Sequence, residues 1–165
     1  MIDFKFGSRT YIMGILNVTP DSFGGDGIYQ DVDRAVAVAE RLIEDGADII
    51  DIGGESTRPG AEPVTIEEEI KRTIPVIKKL SKSVNASISI DTYKSEVARL
   101  ALENGASIVN DITGMESDQK ILSVVREFNA MVVLMHIKGT PQTMQHNPNY
   151  GNLIQEIKEK LITLI

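Results

Sequence analysis

Apolar positions change period repeatedly along this chain. Short, nearly continuous apolar runs occur at 11–16 (Y-I-M-G-I-L), 48–52 (D-I-I-D-I), 86–90 (A-S-I-S-I), 107–110 (S-I-V-N) and 131–135 (M-V-V-L-M). Between them, apolar residues recur three and four apart, the spacing of one helix face. The runs predict buried strands. The intervening stretches predict helices near 31–45, 66–82, 94–104 and 118–128, and N-L-I-Q-E-I-K-E-K-L-I-T-L-I begins another. Thr65-Ile-Glu-Glu68 has the form of a capping box opening the second helix. Apolar strands that alternate with helices imply a parallel sheet covered by helices.

A repeat supports this order. A-E-R-L-I-E-D-G-A-D-I-I-D-I-G at 39–53 matches A-R-L-A-L-E-N-G-A-S-I-V-N-D-I at 98–112. Each ends a helix on an acid or amide followed by glycine, a C-cap signal, and then enters a strand. Gly46 and Gly105 lie 59 positions apart, the span of two βα units of about 30 residues each. Five such units are read along residues 1–165, taken as a single domain. An eight-unit barrel needs at least about 200 residues. The pattern therefore fits either a five-stranded doubly wound sheet or part of a (β/α)8 barrel.

The composition is that of a globular domain, 42% hydrophobic and 25% charged, with a net charge of −7. That acidity argues against nucleic acid as a partner, and an anionic substrate has to be captured locally. No cysteine is present, which removes disulfides and thiol chemistry. No apolar run is long enough for a bilayer, and the polar opening M-I-D-F-K-F-G-S-R-T does not read as a signal peptide, so no membrane partner and a cytoplasmic location are expected.

Every predicted strand ends in polar chemistry, at Asn17, at G-G-E-S-T-R-P-G (53–60), at Asp91-Thr92, at Asn110-Asp111 and at Met135-His136. In parallel α/β folds ligands bind at the carboxyl ends of strands, so all five point to one rim. Each residue also has a structural alternative. Asp91, Thr92, Asn110 and Asp111 suit caps and turns. His136 suits a neutral rim role, Met135 suits a core filler, and Glu55 and Asp51 could pair with Arg58 or cap a turn. Arg58, in a turn stiffened by Pro59, suits bidentate capture of phosphate or carboxylate. Asn17 offers a neutral oxygen to a hard cation such as Mg2+. Asp91 and Asn110 suit a flat heterocycle with amino and ring N–H groups, which Ile112 and Met135 could sandwich. Asn17 also opens a long loop reaching about Gln30. Loops of that length in compact domains are commonly functional or disordered, and Phe23 argues against disorder.

These motifs, N-V-T-P-D-S-F (17–23), G-G-E-S-T-R-P-G (53–60), I-D-T (90–92), N-D-I-T-G (110–114) and L-M-H-I-K-G-T-P-Q-T-M-Q (134–145), make the chain resemble the dihydropteroate synthase family. The resemblance covers essentially the whole sequence but only the N-terminal part of the family's pattern. It implies a (β/α)8 barrel of the TIM type. The implied reaction condenses 6-hydroxymethyl-7,8-dihydropterin diphosphate with 4-aminobenzoate to give 7,8-dihydropteroate and diphosphate in folate biosynthesis. It further implies that Asn17 contacts Mg2+ and the diphosphate, that Thr57 and Arg58 contact the pterin diphosphate, and that Asp91 and Asn110 hydrogen-bond the pterin. Ile112 and Met135 would pack on its ring, and Phe23, Thr57 and Pro59 would help form the aminobenzoate pocket. The N-V-T-P-D-S-F loop would act as a lid, and Asp91, ionised, would stabilise positive charge developing beside the ring.

Two departures stand out. The glycine-rich tail reads F-G-G-D-G where many members have F-S-D-G-G, so Asp26 receives no role. The family's later strands carry a second pterin-binding Asp, a Lys and an Arg-x-His pair, and the sequence ends at Ile165 before them. The expectation that follows is little or no synthase activity from the 165 residues by themselves, and an open sheet edge that leaves room for a homo-oligomer. The competing readings are a partial barrel stabilised by association and the pterin-binding domain of methyltetrahydrofolate methyltransferases. The S-T-R-P-G and N-V-T-P-D-S-F loops count against the latter.

Overall fold

A computed structural model describes residues 4–19, 31–56, 62–140 and 143–165. The described elements run β1 (Met13–Asn17), α1 (Val32–Glu44), β2 (Ile49–Gly53), α2 (Ile66–Ser83), β3 (Ser87–Asp91), α3 (Ser95–Glu103), β4 (Ile108–Asp111), α4 (Lys120–Phe128), β5 (Met131–Leu134) and α5 (Leu153–Thr163). Each expected strand and helix is present, with ends moved by one or two residues. The strands form one parallel sheet in the order β1-β2-β3-β4-β5.

That order separates the two architectures the sequence allowed. Crossovers between parallel strands are right-handed. When each new strand joins on the same side as the last, every helix falls on the same face of the sheet, and the sheet is an arc of a barrel. A doubly wound sheet requires the order to reverse at a switch point, and here it does not.

The burial pattern agrees. Leu16, Ile50, Ile52, Ile88, Ile90 and Val109 pack with Val36, Ala39, Ile77, Leu80, Val97, Ala101 and Val124 from the helices in one core. The alternate strand positions turn away from it. Ile15 on β1 is 67% exposed and Val133 on β5 is 38% exposed, whereas Asp51, Ser89 and Ile108 on the inner strands are buried. α2 continues through Pro75 although a proline there removes one helical hydrogen bond, because Val76, Ile77 and Leu80 are fully packed against the sheet.

Helix starts and stops follow local chemistry. Asp31, Thr65 and Asn152 accept from the backbone N–H three residues on, at 3.0, 3.2 and 3.2 Å. Glu68, the other half of the expected capping box, pairs with Arg72 one turn later. At the end of α1, Gly46 N–H donates to Ile43 and Ala47 N–H to Leu42. At the end of α3, Gly105 N–H donates to Leu102 and Ala106 N–H to Ala101. Both are Schellman turns, so the sequence repeat is a repeat of one helix-to-strand connection. Asn129, at φ 49°, closes α4 in the same way, with Ala130 N–H donating to Val125. Below β1 and β2, Arg9 grips both oxygens of Asp48, which also accepts from Ile12 N–H.

The two repeated glycines have different surroundings. A Cβ on Gly46 meets nothing within 4 Å, whereas one on Gly105 would lie 2.5 Å from Ser81 Cβ. Both have positive φ, 108° and 113°. Gly46→Ala should therefore cost about 1–2 kcal/mol of stability from backbone strain alone. Gly105→Ala should cost about 1–3 kcal/mol beyond that from overpacking. Urea denaturation of the two variants measures the difference, and equal losses would show that α2 yields freely at Ser81.

Candidate functional site

The strand register builds the rim. Asn17 pairs with Gly53, Gly53 with Asp91, and Asp91 with Asn110. These four positions form one row across β1 to β4, on the face turned away from the helices. Gly53 is the reason the row works. A Cβ there would sit 3.1 Å from Asn17 Oδ1 and 3.5 Å from Asp91 Oδ2, so the absent side chain leaves the space that those two polar groups share.

Asn17 is exposed, while Asp91 and Asn110 are half-buried. Among the described residues no group donates a hydrogen bond to the Asp91 carboxylate. Asn110 Nδ2 donates to Asp51 Oδ2 at 2.9 Å. Asp51 stands two residues before Gly53, on the same face, and is only 4% exposed. Its Oδ1 and the Oγ of Ser89, its register partner on β3, are buried without a hydrogen-bond partner among the described residues.

The neighbouring residue of each pair does structural work. Asp111 is fully buried on the opposite face and accepts from Thr113 N–H and Oγ1 at 2.8 Å and from Met115 N–H at 2.9 Å, which shapes the turn after β4. Thr92 accepts from Lys94 N–H at 3.2 Å and is buried. The turn-bracing role open to Asn110 and Asp111 alike thus falls to Asp111. Ile112 and Met135 are half-buried just beyond β4 and β5. His136 packs against Tyr150, with ring centroids 5.8 Å apart.

A second layer lies under the β2–α2 connection. Lys94 binds Glu55 at 2.5 Å, Val64 O at 2.7 Å, and the fully buried Glu69. Glu55 also accepts from Tyr93 OH at 2.8 Å and from Val64 N–H at 2.9 Å, and Arg72 holds Gly54 O at 2.8 Å. Residues 54, 55 and 64 are tied down where the G-G-E-S-T-R-P-G loop leaves and rejoins the fold. Sequence reasoning assigned Lys94, Tyr93 and Glu69 no part in this, and it offered Glu55 to Arg58 or to a turn. Asp51 was legible only as a turn or ion-pair residue. Its position two residues before Gly53, combined with strand alternation, was the available signal. Phe23, Asp26, Thr57, Arg58 and Pro59 lie outside the described residues.

The pKa of Asp91 in the free chain is pushed up to about 7, first by burial and then by the charges of Asp51, Glu69, Asp111 and Glu55. Asp51 is also raised by burial, a rise that Ser89 and Asn110 oppose. A carboxyl group in this state is ready to ionise against a ligand that brings N–H donors.

The sequence profile described as "Pterin binding enzyme" matches residues 13–163. The chain belongs to the pterin-binding enzyme family. It is similar to a dihydropteroate synthase of Synechocystis sp., with 51% identity over 156 residues, covering 94% of this chain and 54% of the relative. A dihydropteroate synthase of Clostridium difficile, solved in the presence of pteroic acid, superposes with a TM-score of 0.88 at 45% identity, over 98% of this chain and 59% of that one. The Xanthomonas albilineans enzyme with 4-aminobenzoic acid gives a TM-score of 0.84 at 42% identity, over 95% and 55%. The chain spans about half the length of the curated relatives it matches. Membership of the pterin-binding enzyme family agrees with the strand order, and the five βα units are part of an α/β barrel.

The raised pKa of Asp91 has a defined consequence for stability. The fold penalises the ionised form, so this group's contribution falls as pH rises from its ordinary value of 3.8 to about 7. Asp91→Asn should therefore raise the melting temperature at pH 8, and the difference from the parent chain should shrink towards zero by about pH 4. Thermal unfolding across that range checks this, and an Asn variant less stable at pH 8 would contradict the burial argument.

Proposed function

We propose that this chain supplies the pterin- and diphosphate-facing strand ends of a dihydropteroate synthase. The supporting observation is the row Asn17, Gly53, Asp91 and Asn110, with acceptors gathered at one rim of a pterin-binding family fold. The substrates are 6-hydroxymethyl-7,8-dihydropterin diphosphate and 4-aminobenzoate. In the reaction the bond from the pterin methylene carbon to the diphosphate oxygen breaks, and its electrons leave with diphosphate. The arylamine nitrogen forms the new C–N bond and releases a proton to water. Every relative named above is a dihydropteroate synthase, which favours this reading over a methyltransferase domain.

The chain's own groups have separable tasks. Asp91 and Asn110 accept hydrogen bonds from the pterin. A ligand that brings N–H donors draws Asp91 into its ionised form, and the resulting negative charge faces the positive charge that develops beside the ring. Ile112 and Met135 cover the faces of the ring. Arg58, with Thr57, binds the diphosphate, and Phe23, Thr57 and Pro59 line the aminobenzoate pocket. Closure of the N-V-T-P-D-S-F loop excludes water.

Asn17 fits a role toward Mg2+. It offers one exposed neutral oxygen at the rim, and the described residues contain no cluster of three or more acids or histidines suited to a protein-held metal. Mg2+ there would be held mainly by diphosphate and water, and its contribution is to offset negative charge on the leaving group. No helix of the described residues is long and apolar enough to cross a membrane. A cytoplasmic location is part of the same proposal.

Titration calorimetry with the pterin diphosphate and with the bare hydroxymethylpterin tests the assignment. Arg58→Ala should weaken the diphosphate ligand by roughly tenfold to a hundredfold, the worth of a charged hydrogen bond. Binding of the bare pterin should change little. Equal losses for the two ligands would remove Arg58 from the diphosphate site, and a folded parent chain that binds neither would overturn pterin binding by these 165 residues alone.

A further inference from the structure

A buried carboxylate on β2 has no evident packing reason. Three of its four strand neighbours are isoleucines, and no described cation pairs with it. One of its oxygens accepts from Asn110 Nδ2 at 2.9 Å, and the other has no partner among the described residues. Such a group costs the fold stability that a hydrophobic residue of similar size would not.

The two ends of an asparagine amide are nearly identical in shape and opposite in chemistry. Its orientation is therefore set by its partners. An ionised carboxylate can only accept. Facing Asp51, Asn110 makes a charge-assisted hydrogen bond with its NH2 group inward, whereas the flipped amide would set a carbonyl oxygen against the carboxylate. We propose that Asp51 is a positioning residue that fixes the Asn110 amide with its NH2 group held beneath the rim and its carbonyl oxygen presented beside Asp91. Its consequence for the ligand rests on the pterin-binding reading.

The consequence is one of specificity. Asn110 and Asp91 are register partners, so with the amide held this way the rim offers two neighbouring acceptors. The complementary ligand carries adjacent N–H donors on a flat ring, as the aminopyrimidinone edge of a pterin does. A ring lacking the exocyclic amino group leaves a buried acceptor unpaired, the situation in which hydrogen-bonding sites discriminate most strongly. Asp51 thus acts on selectivity through Asn110 without itself touching the ligand.

Two measurements on the 165-residue chain test this. The first needs no substitution. Hydrogen exchange of the Asn110 side-chain NH2 in the 15N-labelled protein at pH 8 is compared with that of the exposed Asn149. Protection of at least about tenfold is expected from a persistent charge-assisted hydrogen bond. The second compares binding of 6-hydroxymethylpterin and its 2-desamino analogue to the parent and to Asp51→Asn. The amide introduced at position 51 can donate or accept, so it satisfies either orientation of Asn110. Discrimination between the two ligands should fall at least about fivefold while thermal stability stays level or rises. Unprotected Asn110 protons, or unchanged discrimination in the variant, would overturn the proposal. A parent chain that binds neither ligand would overturn pterin binding by these 165 residues alone, and the exchange measurement would still decide whether Asp51 holds Asn110.

Discussion

The candidate site depends on the register of parallel pairing between β1 and β4. Because each strand joins the sheet beside its predecessor, all carboxyl ends reach the same rim. Because side chains alternate, residues in one row either all face the helices or all face away. Asn17, Asp91 and Asn110 share a row only in this register. A slip of one residue in β3 would bury Asp91 in the hydrophobic core and bring Thr92 to the rim. The core of Leu16, Ile50, Ile52, Ile88 and Ile90 opposes that slip, so the packing that stabilises the fold also aims the chemistry.

The rim accumulates negative charge. Asp91 is half-buried near Asp51, Glu69, Asp111 and Glu55, and its pKa is pushed up to about 7. Lys94 is the described cation that answers Glu55 and Glu69, whereas Asp51 and Asp91 face the open side of the sheet without one. This arrangement costs stability in the free protein, because acceptors without donors are held partly out of water.

The Lys94 network gives the rim a firm base. It joins the start of α3, the start of α2 and both sides of the β2–α2 connection through Glu55, Val64 and Glu69. Tyr93 adds to it, with its phenol pushed up to about 12 by burial and by Glu55. The ends of the polar loop that carries Arg58 are thus tied down by half-buried charge-assisted bonds.

Local chemistry was legible in the sequence because it is decided within a few residues. Strand runs, helix periods, the caps at Asp31 and Thr65 and the glycine stops at Gly46 and Gly105 all depend on neighbours in the chain. The clustering of Asn17, Asp91 and Asn110 at strand ends could be read for the same reason, since parallel strands share a direction. Tertiary structure alone decided the rest. Strand order chose a barrel arc over a doubly wound sheet, and packing carried α2 through Pro75. Alternation divided Asn110 from Asp111, sending one to the site and the other into a turn. Contacts between residues 39 and 59 positions apart joined Lys94 to Glu55 and Asn110 to Asp51. The protonation of Asp91 depends on carboxylates from three other segments, a sum over distances that no linear pattern of residues encodes.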